Sequence, residues 1–189
     1  MALRIGVIAE DHSDIDVFEE ITRKISKKDF VLRKFVGRGC GKIKKECAGW
    51  AQNLRDQNCS LLVLIHDLDE NDLTSLEKQL TIALHPSPIK NNLIVIPVKE
   101  IEAWLLSDEV AIKSAMNIKV SIPAVGNPES IDNPKEYLER LVEKKTMGKK
   151  HYLNTTHNKK IAALLNLAKV KKCKSFLPLE LFLNRHLAN

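Results

Sequence analysis

Four short apolar runs alternate with stretches of helical period, and this alternation restricts the fold more than any other feature of the chain. Arg4 to Ala9 (RIGVIA), Phe30 to Val36 (FVLRKFV), the run opening at Leu61 (LLVLIH) and Asn92 to Val98 (NLIVIPV) read as strands. Between the first two, Val17, Phe18, Ile21 and Ile25 form an apolar stripe of helical spacing. Ser13 is the expected helix cap, with Asp14 and Asp16 in the favourable first turn. A second helix is expected from about Ile43 to Gln57. A third runs over Asn71 to Leu84, with Leu76, Leu80 and Ala83 on one face, and a fourth starts at Glu100. Strands that alternate with helices imply an α/β domain with a mainly parallel, four-stranded sheet.

In such sheets ligands bind outside the carboxyl ends of the strands. Glu10 follows the first strand, Asp67 and Asp69 the third, and Glu100 and Glu102 the fourth. Three acidic clusters therefore fall on one edge of one sheet. If the third strand persists, its two-residue period puts Asp67 and Asp69 on the same side. Neighbouring carboxylates repel one another, and a hard divalent cation, which takes oxygen ligands, relieves that repulsion. Asp14 either joins this set or serves only its helix terminus. Glu100 and Glu102 cannot both face inward from a regular helix, because residues two apart lie about 200° apart around its axis. Glu102 stands beside Ala103 and Trp104, where the helix must pack on the sheet, and is preferred. Glu70 and Asp72 are read as charges in the first turn of the next helix. His66 has a role beside the acids, without ligating. Trp50 and Trp104 are read as core residues.

Beyond Asp108 the chain changes character. Ile118 to Asn133 reads as a loop, and Pro134 opens a helix to about Lys145, with Asn133 as its cap. Met147 to Asn158 is rich in Lys, His and Asn and reads as mobile. Helix follows from Asn158 to Ala168, and a last helix from Ser175 to Leu187 is interrupted near Pro178. The expected organisation is an α/β domain over residues 1–115 and a basic, mostly helical extension over 116–189, packed on it.

The net charge of +6 is unevenly spread. Residues Arg33 to Lys45 include six bases and no acid, and Lys135 to Lys174 carry twelve bases against three acids. An acidic centre with basic flanks suits a metal-assisted reaction on a polyanion. Candidate contacts to a nucleic-acid backbone are Arg38, Lys42, Lys44, Lys45, Lys149, Lys150 and Lys159. The segment GRGCGK (37–42) is not a P-loop, since three residues instead of four separate Gly37 from Gly41 and Ile43 follows Lys42. No apolar run approaches the roughly 20 residues of a membrane span. Cys40, Cys47, Cys59 and Cys173 form no CxxC pair, so reduced thiols in a cytoplasmic protein are expected.

Glu10 and Asp14, then Asp67-Leu68-Asp69, then Glu100-Ile101-Glu102-Ala103-Trp104 form a pattern that resembles the TOPRIM domain, the catalytic fold of topoisomerases, bacterial primases and OLD-family nucleases. The spacing is closest to the OLD-like branch. Asp132-Asn133-Pro134-Lys135 and Cys173-Lys174-Ser175-Phe176 resemble the tail of a bacterial family of small stand-alone TOPRIM-like proteins of unknown function. The resemblance implies a Rossmann-like core and a nuclease dependent on Mg²⁺ or Mn²⁺, with two ions and catalytic residues Glu10, Asp67, Asp69 and Glu102. Glu10 would serve as ligand or general base; Asp14 and Glu100 would be further ligands. It also implies a nucleic-acid substrate, DNA before RNA, and an ATPase partner in a defence or mobile-element system. Asp11 stands where TOPRIM domains commonly have glycine, and Leu68 replaces the glycine between the aspartates. Two other readings remain open: a non-catalytic TOPRIM-like module that binds nucleic acid or protein, and a receiver-type switch phosphorylated on Asp67.

Overall fold

The computed structural model describes residues 2–37 and 40–188. Four parallel strands, β1 (Leu3–Ala9), β2 (Phe30–Val36), β3 (Leu61–Ile65) and β4 (Asn91–Val95), form one sheet in the order β2-β1-β3-β4. The chain is thus α/β with a Rossmann-like, all-parallel core. Helices α1 (His12–Ile25), α2 (Cys40–Asp56) and α3 (Leu73–Leu84) connect the strands. Then follow α4 (Glu102–Leu106), α5 (Glu109–Ala115), α6 (Pro134–Thr146), α7 (Asn154–Leu164), α8 (Leu167–Val170) and α9 (Leu177–Leu187).

Strand alternation sorts the core into two layers. Ile5, Val7, Leu61, Val63 and Ile65 point to the face covered by α1, α4 and the C-terminal helices. Ile8, Leu62 and Leu64 point to the opposite face, where Ile43, Ala51 and Leu54 of α2 and Leu76 and Leu80 of α3 meet them. Both faces are buried, as a parallel sheet requires. At Gly6 a Cβ would lie 2.9 Å from Leu54 Cδ1 and 3.2 Å from its Cβ, so the missing side chain lets α2 lie close on the sheet.

Residues 138–187 share one continuous apolar cluster with β1, β3 and α1. Polar side chains stitch the same halves. Glu100 Oε2 accepts from the Lys135 N–H at 2.8 Å, while within the C-terminal half Glu129 accepts from the N–H groups of Lys174 and Ser175 at 2.8 and 2.9 Å. Trp104 Nε1 donates to Ser175 Oγ at 2.9 Å. Asp108 caps α5 and also accepts from the Asn166 N–H and Lys169 Nζ, both at 2.9 Å.

Several sequence expectations change. The cap of α1 is Asp11, not Ser13: Asp11 and Asp14 form a reciprocal capping box, which places Ser13 inside the first turn. Asn133 makes no side-chain cap bond to α6, and Glu100 supplies the carboxylate instead. Residues 154–158 lie in α7 with Asn158 buried, so the segment read as mobile is half helical. Pro178 sits in the first turn of α9 and does not interrupt it. α5 falls before the expected loop over Ile118–Asn133, in a stretch to which the sequence assigns no element. Among the described residues no helix is long and apolar enough to cross a membrane.

Candidate metal centre

β3 ends at Ile65, and the two-residue alternation does not carry through to Asp69. Instead the segments after β3 and β4 stay paired. The N–H groups of His66, Leu68 and Asp69 donate to the carbonyls of Val95, Pro97 and Lys99 at 3.1, 3.0 and 2.9 Å. Asp69 and Lys99 both take left-handed backbone, with φ of 49° and 62°, which turns the chain between these bonds. Asp67 Oδ1 accepts from the Ile101 N–H at 3.0 Å, and the Asp67 N–H faces Glu10 Oε2 at 3.3 Å. Asp67 is thereby tied to the ends of both β1 and β4.

Glu10, Asp14, Asp67, Asp69 and Glu102 gather around this point. Burial pushes the Asp67 carboxyl well above the usual carboxylate range, and the charges of Asp14, Glu102, Glu10 and Asp69 push it further. Burial raises Asp14 to about 8; the Asp11 N–H opposes this, while Glu102, Asp11 and Glu10 add to it. Glu10 is raised by burial and by Asp69, against the pull of His66 and Lys44. Glu102 is raised by burial and by Glu100, against the Asn158 amide and the more distant Lys135. The result is a knot of acidic side chains in which, among the described residues, Asp14, Asp67, Asp69 and Glu102 have no ion-pair partner.

The residues around the acids come partly from the far end of the chain. His66 Nδ1 lies 2.7 Å from the Asp67 carbonyl oxygen, which can only accept, so Nδ1 carries the proton; it is also 3.4 Å from Glu10 Oε2. His66 Nε2 is buried with no hydrogen-bond partner. Ser13 Oγ links Asn154 Nδ2 to Asp14 Oδ1, at 3.3 and 3.4 Å. Glu102 is 4% exposed. Its Oε1 accepts from Asn158 Nδ2 at 3.0 Å and from the Tyr152 hydroxyl at 3.3 Å, and that hydroxyl also contacts Asn158 Oδ1. Nothing local in the sequence marks Tyr152 or Asn158. The only signal for Asn158 is a polar residue at a helical core position, with Ile161 and Ala162 following on the buried face, and Tyr152 precedes that helix.

Glu100 is not aimed into the knot; it caps α6. The basic residues are scattered. Arg38 lies outside the described residues. Lys42 stands 6.0 Å over the Trp50 ring, Lys44 reaches Gln79 at 2.6 Å, and Lys45 is exposed. Lys149 is exposed, but Lys150 is committed to the Met116 and Asn117 carbonyls. Lys159 sits 3.6–4.0 Å from Asp16, Glu19 and Glu20 of α1. Lys150 and Lys159 are thus engaged by neighbouring carbonyls and by the α1 carboxylates. A concavity of about 320 Å³ beside β4, lined by Leu73, Glu77, Ile94, Ile96, Lys174 and Pro178, is not lined by these acids.

The all-oxygen donor set, four of whose carboxyls lack an ion-pair partner among the described residues, fits a hard cation. Among the described residues no group of three or more His, Cys, Asp and Glu is ready-made to hold a metal ion. Mg²⁺ needs less, since it is commonly held by one or two carboxylates and keeps several waters.

A family model described as a domain of unknown function, DUF4276, matches residues 9–184. The chain belongs to the DUF4276 family. The matched range runs from the end of β1 into α9, so the DUF4276 pattern includes both the acidic edge and the helices that pack beneath it. Comparison with curated proteins and with solved structures yields no match for this DUF4276 chain.

Proposed function

We propose that this chain is a divalent-metal-dependent nuclease acting in the cytoplasm, where its buried, unpaired Cys47, Cys59 and Cys173 would stay reduced. The observation that carries the proposal is the convergence of carboxylates from the ends of β1, β3 and β4, with no lysine or arginine paired to Asp14, Asp67, Asp69 or Glu102 among the described residues. Asp67, Asp69 and Glu102 would hold Mg²⁺ or Mn²⁺, with Asp14 beside them. Two bound cations would supply Lewis acidity and an activated water for in-line displacement at phosphorus. Glu10, whose proton affinity is raised, would take the proton of the attacking water as the bond to the leaving oxygen breaks. Lys42, Lys45 and Lys149, exposed on the flanks, would meet the phosphates of a nucleic acid, DNA before RNA. The TOPRIM resemblance, closest to OLD-like nucleases, adds the expectation of an ATPase partner.

The test is cleavage of DNA and RNA by the full chain with Mn²⁺ or Mg²⁺. Loss of an outer partner of a metal ligand typically costs about 10–100-fold. Asp67→Ala and Glu10→Ala should therefore lower any cleavage by about a hundredfold or more. Activity unchanged in both variants would overturn the assignment. A second reading, a non-catalytic binding module, draws on the hydrogen bonds that already occupy Asp67, Asp14 and Glu102. Calorimetric titration with Mn²⁺ separates the two: the module binds none at the acids.

A further inference from the structure

We propose that Asn158 and Tyr152 are positioning residues that aim Glu102 at the cation, so that the C-terminal segment is part of the metal centre. This rests on the metal-site reading above and adds to it residues that lie 50 and 56 positions from Glu102 in the chain.

Glu102 is the first residue of a five-residue helix whose N-cap, Ile101, offers no side-chain hydrogen bond. Within its own element only the residue's own backbone N–H acts on the carboxylate. Groups from the far half do so: Asn158 Nδ2 donates to Oε1, and the Tyr152 hydroxyl, whose single proton faces both Oε1 and Asn158 Oδ1, holds that amide in place, which leaves the other carboxylate oxygen for a further ligand. Asn158 is fully buried and Tyr152 is 2% exposed, so both are locked by packing. Their chemistry matters as much as their place. A lysine or arginine here would fix Glu102 and also cancel its charge. An amide and a phenol fix it and leave the negative charge uncancelled, which is what a cation requires. Leucine and phenylalanine would fill the same space without polar atoms to satisfy, so the polar pair is not needed for packing alone. The same segment reaches the site a second time, through Asn154 to Ser13 and Asp14.

The experiment is Mn²⁺ titration of the full chain by calorimetry, with thermal unfolding measured on the same samples in EDTA. The variants are Tyr152→Phe, which keeps the ring, and Asn158→Leu, which keeps the volume. Thr146→Val is the structural control: it removes the hydroxyl that accepts from the Lys150 N–H, at 3.1 Å, without touching Glu102. Tyr152→Phe and Asn158→Leu should weaken Mn²⁺ binding about tenfold or more. Thr146→Val should lower Tm and leave the Mn²⁺ Kd unchanged. If affinity follows Tm across all three variants, the role is structural and the proposal falls. If the wild type binds Mn²⁺ and Tyr152→Phe and Asn158→Leu bind it equally well, this inference falls and the metal site stands. A wild type that binds no Mn²⁺ overturns both.

Discussion

Asp67 carries the clearest conflict between folding and use. Its raised proton affinity means that the folded protein holds that proton more tightly than the unfolded chain does. Keeping it ionised therefore costs stability once the pH exceeds the ordinary carboxylate range, and the cost grows as pH rises. Asp67→Asn retains an oxygen for the Ile101 N–H and removes the charge. In EDTA at pH 8 this variant should gain on the order of 1 kcal/mol, the stability–function trade-off of active sites. For a chain of this size that is roughly 2–4 °C in Tm. The gain should vanish near pH 3, where the wild-type carboxyl is protonated in both states. Scanning calorimetry across this range checks it, and a wild type more stable than the variant at pH 8 would contradict the account. The acids themselves were legible because each stands at the end of an apolar run. His66 was legible only as a neighbour, and Tyr152 and Asn158 not at all. Their partner, Glu102, is 50 or more residues away, and no local pattern encodes a contact at that separation.

At the scale of elements, strands and helices were readable where periodicity is strong, and less so where a cap or a bond from elsewhere decides. β2 spans Phe30–Val36 as expected, with Phe30, Leu32 and Val36 packed toward one layer of the core and Phe35 toward the other. The start of α1 does not follow the residue first suggested: Asp11, the departure from the TOPRIM pattern, is the residue that closes the capping box with Asp14. A glycine there would remove the side chain that accepts the helix N–H groups. Asp11→Ala should cost about 1 kcal/mol of stability, the usual worth of an N-cap. It should leave Mn²⁺ affinity within about twofold, since one cap is lost and no ligand is removed. Urea unfolding beside the Mn²⁺ titration checks both halves. A stability loss near zero would mean that Asp14 alone secures the turn. The condition on which Asp67 and Asp69 would share a side, that β3 persists, fails for a related reason. The alternation stops at Ile65, and bonds to the carbonyls after β4 then govern where Asp67 and Asp69 go.

For the whole molecule, the tie between Asp108 and the C-terminal half is the measure of how the halves depend on each other. Burial would raise the Asp108 carboxyl, but the Asn166 N–H and the Lys169 ammonium outweigh it and hold it below its usual value. A lowered value contributes stability that is present above the unfolded-state value, about 3.9, and lost as pH falls through the lower folded-state value. Asp108→Asn should destabilise the protein by about 2 kcal/mol at pH 7, in the range for hydrogen bonds to a charged group. The difference should shrink below roughly pH 4. Denaturant unfolding at pH 7, 4 and 3 tests this, and a pH-independent difference would rule it out. The α/β class was legible in the sequence because repeated alternation admits few solutions. The depth of contact between the halves was not, because Glu100 and Asp108 look in the sequence like ordinary surface acids. Both meet a backbone N–H at the start of a distant helix, Lys135 in α6 and Asn166 at the cap of α8. Such a carboxylate has value only if its matching helix arrives in register, so the two halves have to be inherited together. A chimera that joined this sheet to a relative's tail would strand Glu100 and Asp108 against the wrong backbone. The DUF4276 pattern, continuous from residue 9 to residue 184, is what descent as one indivisible unit would leave behind.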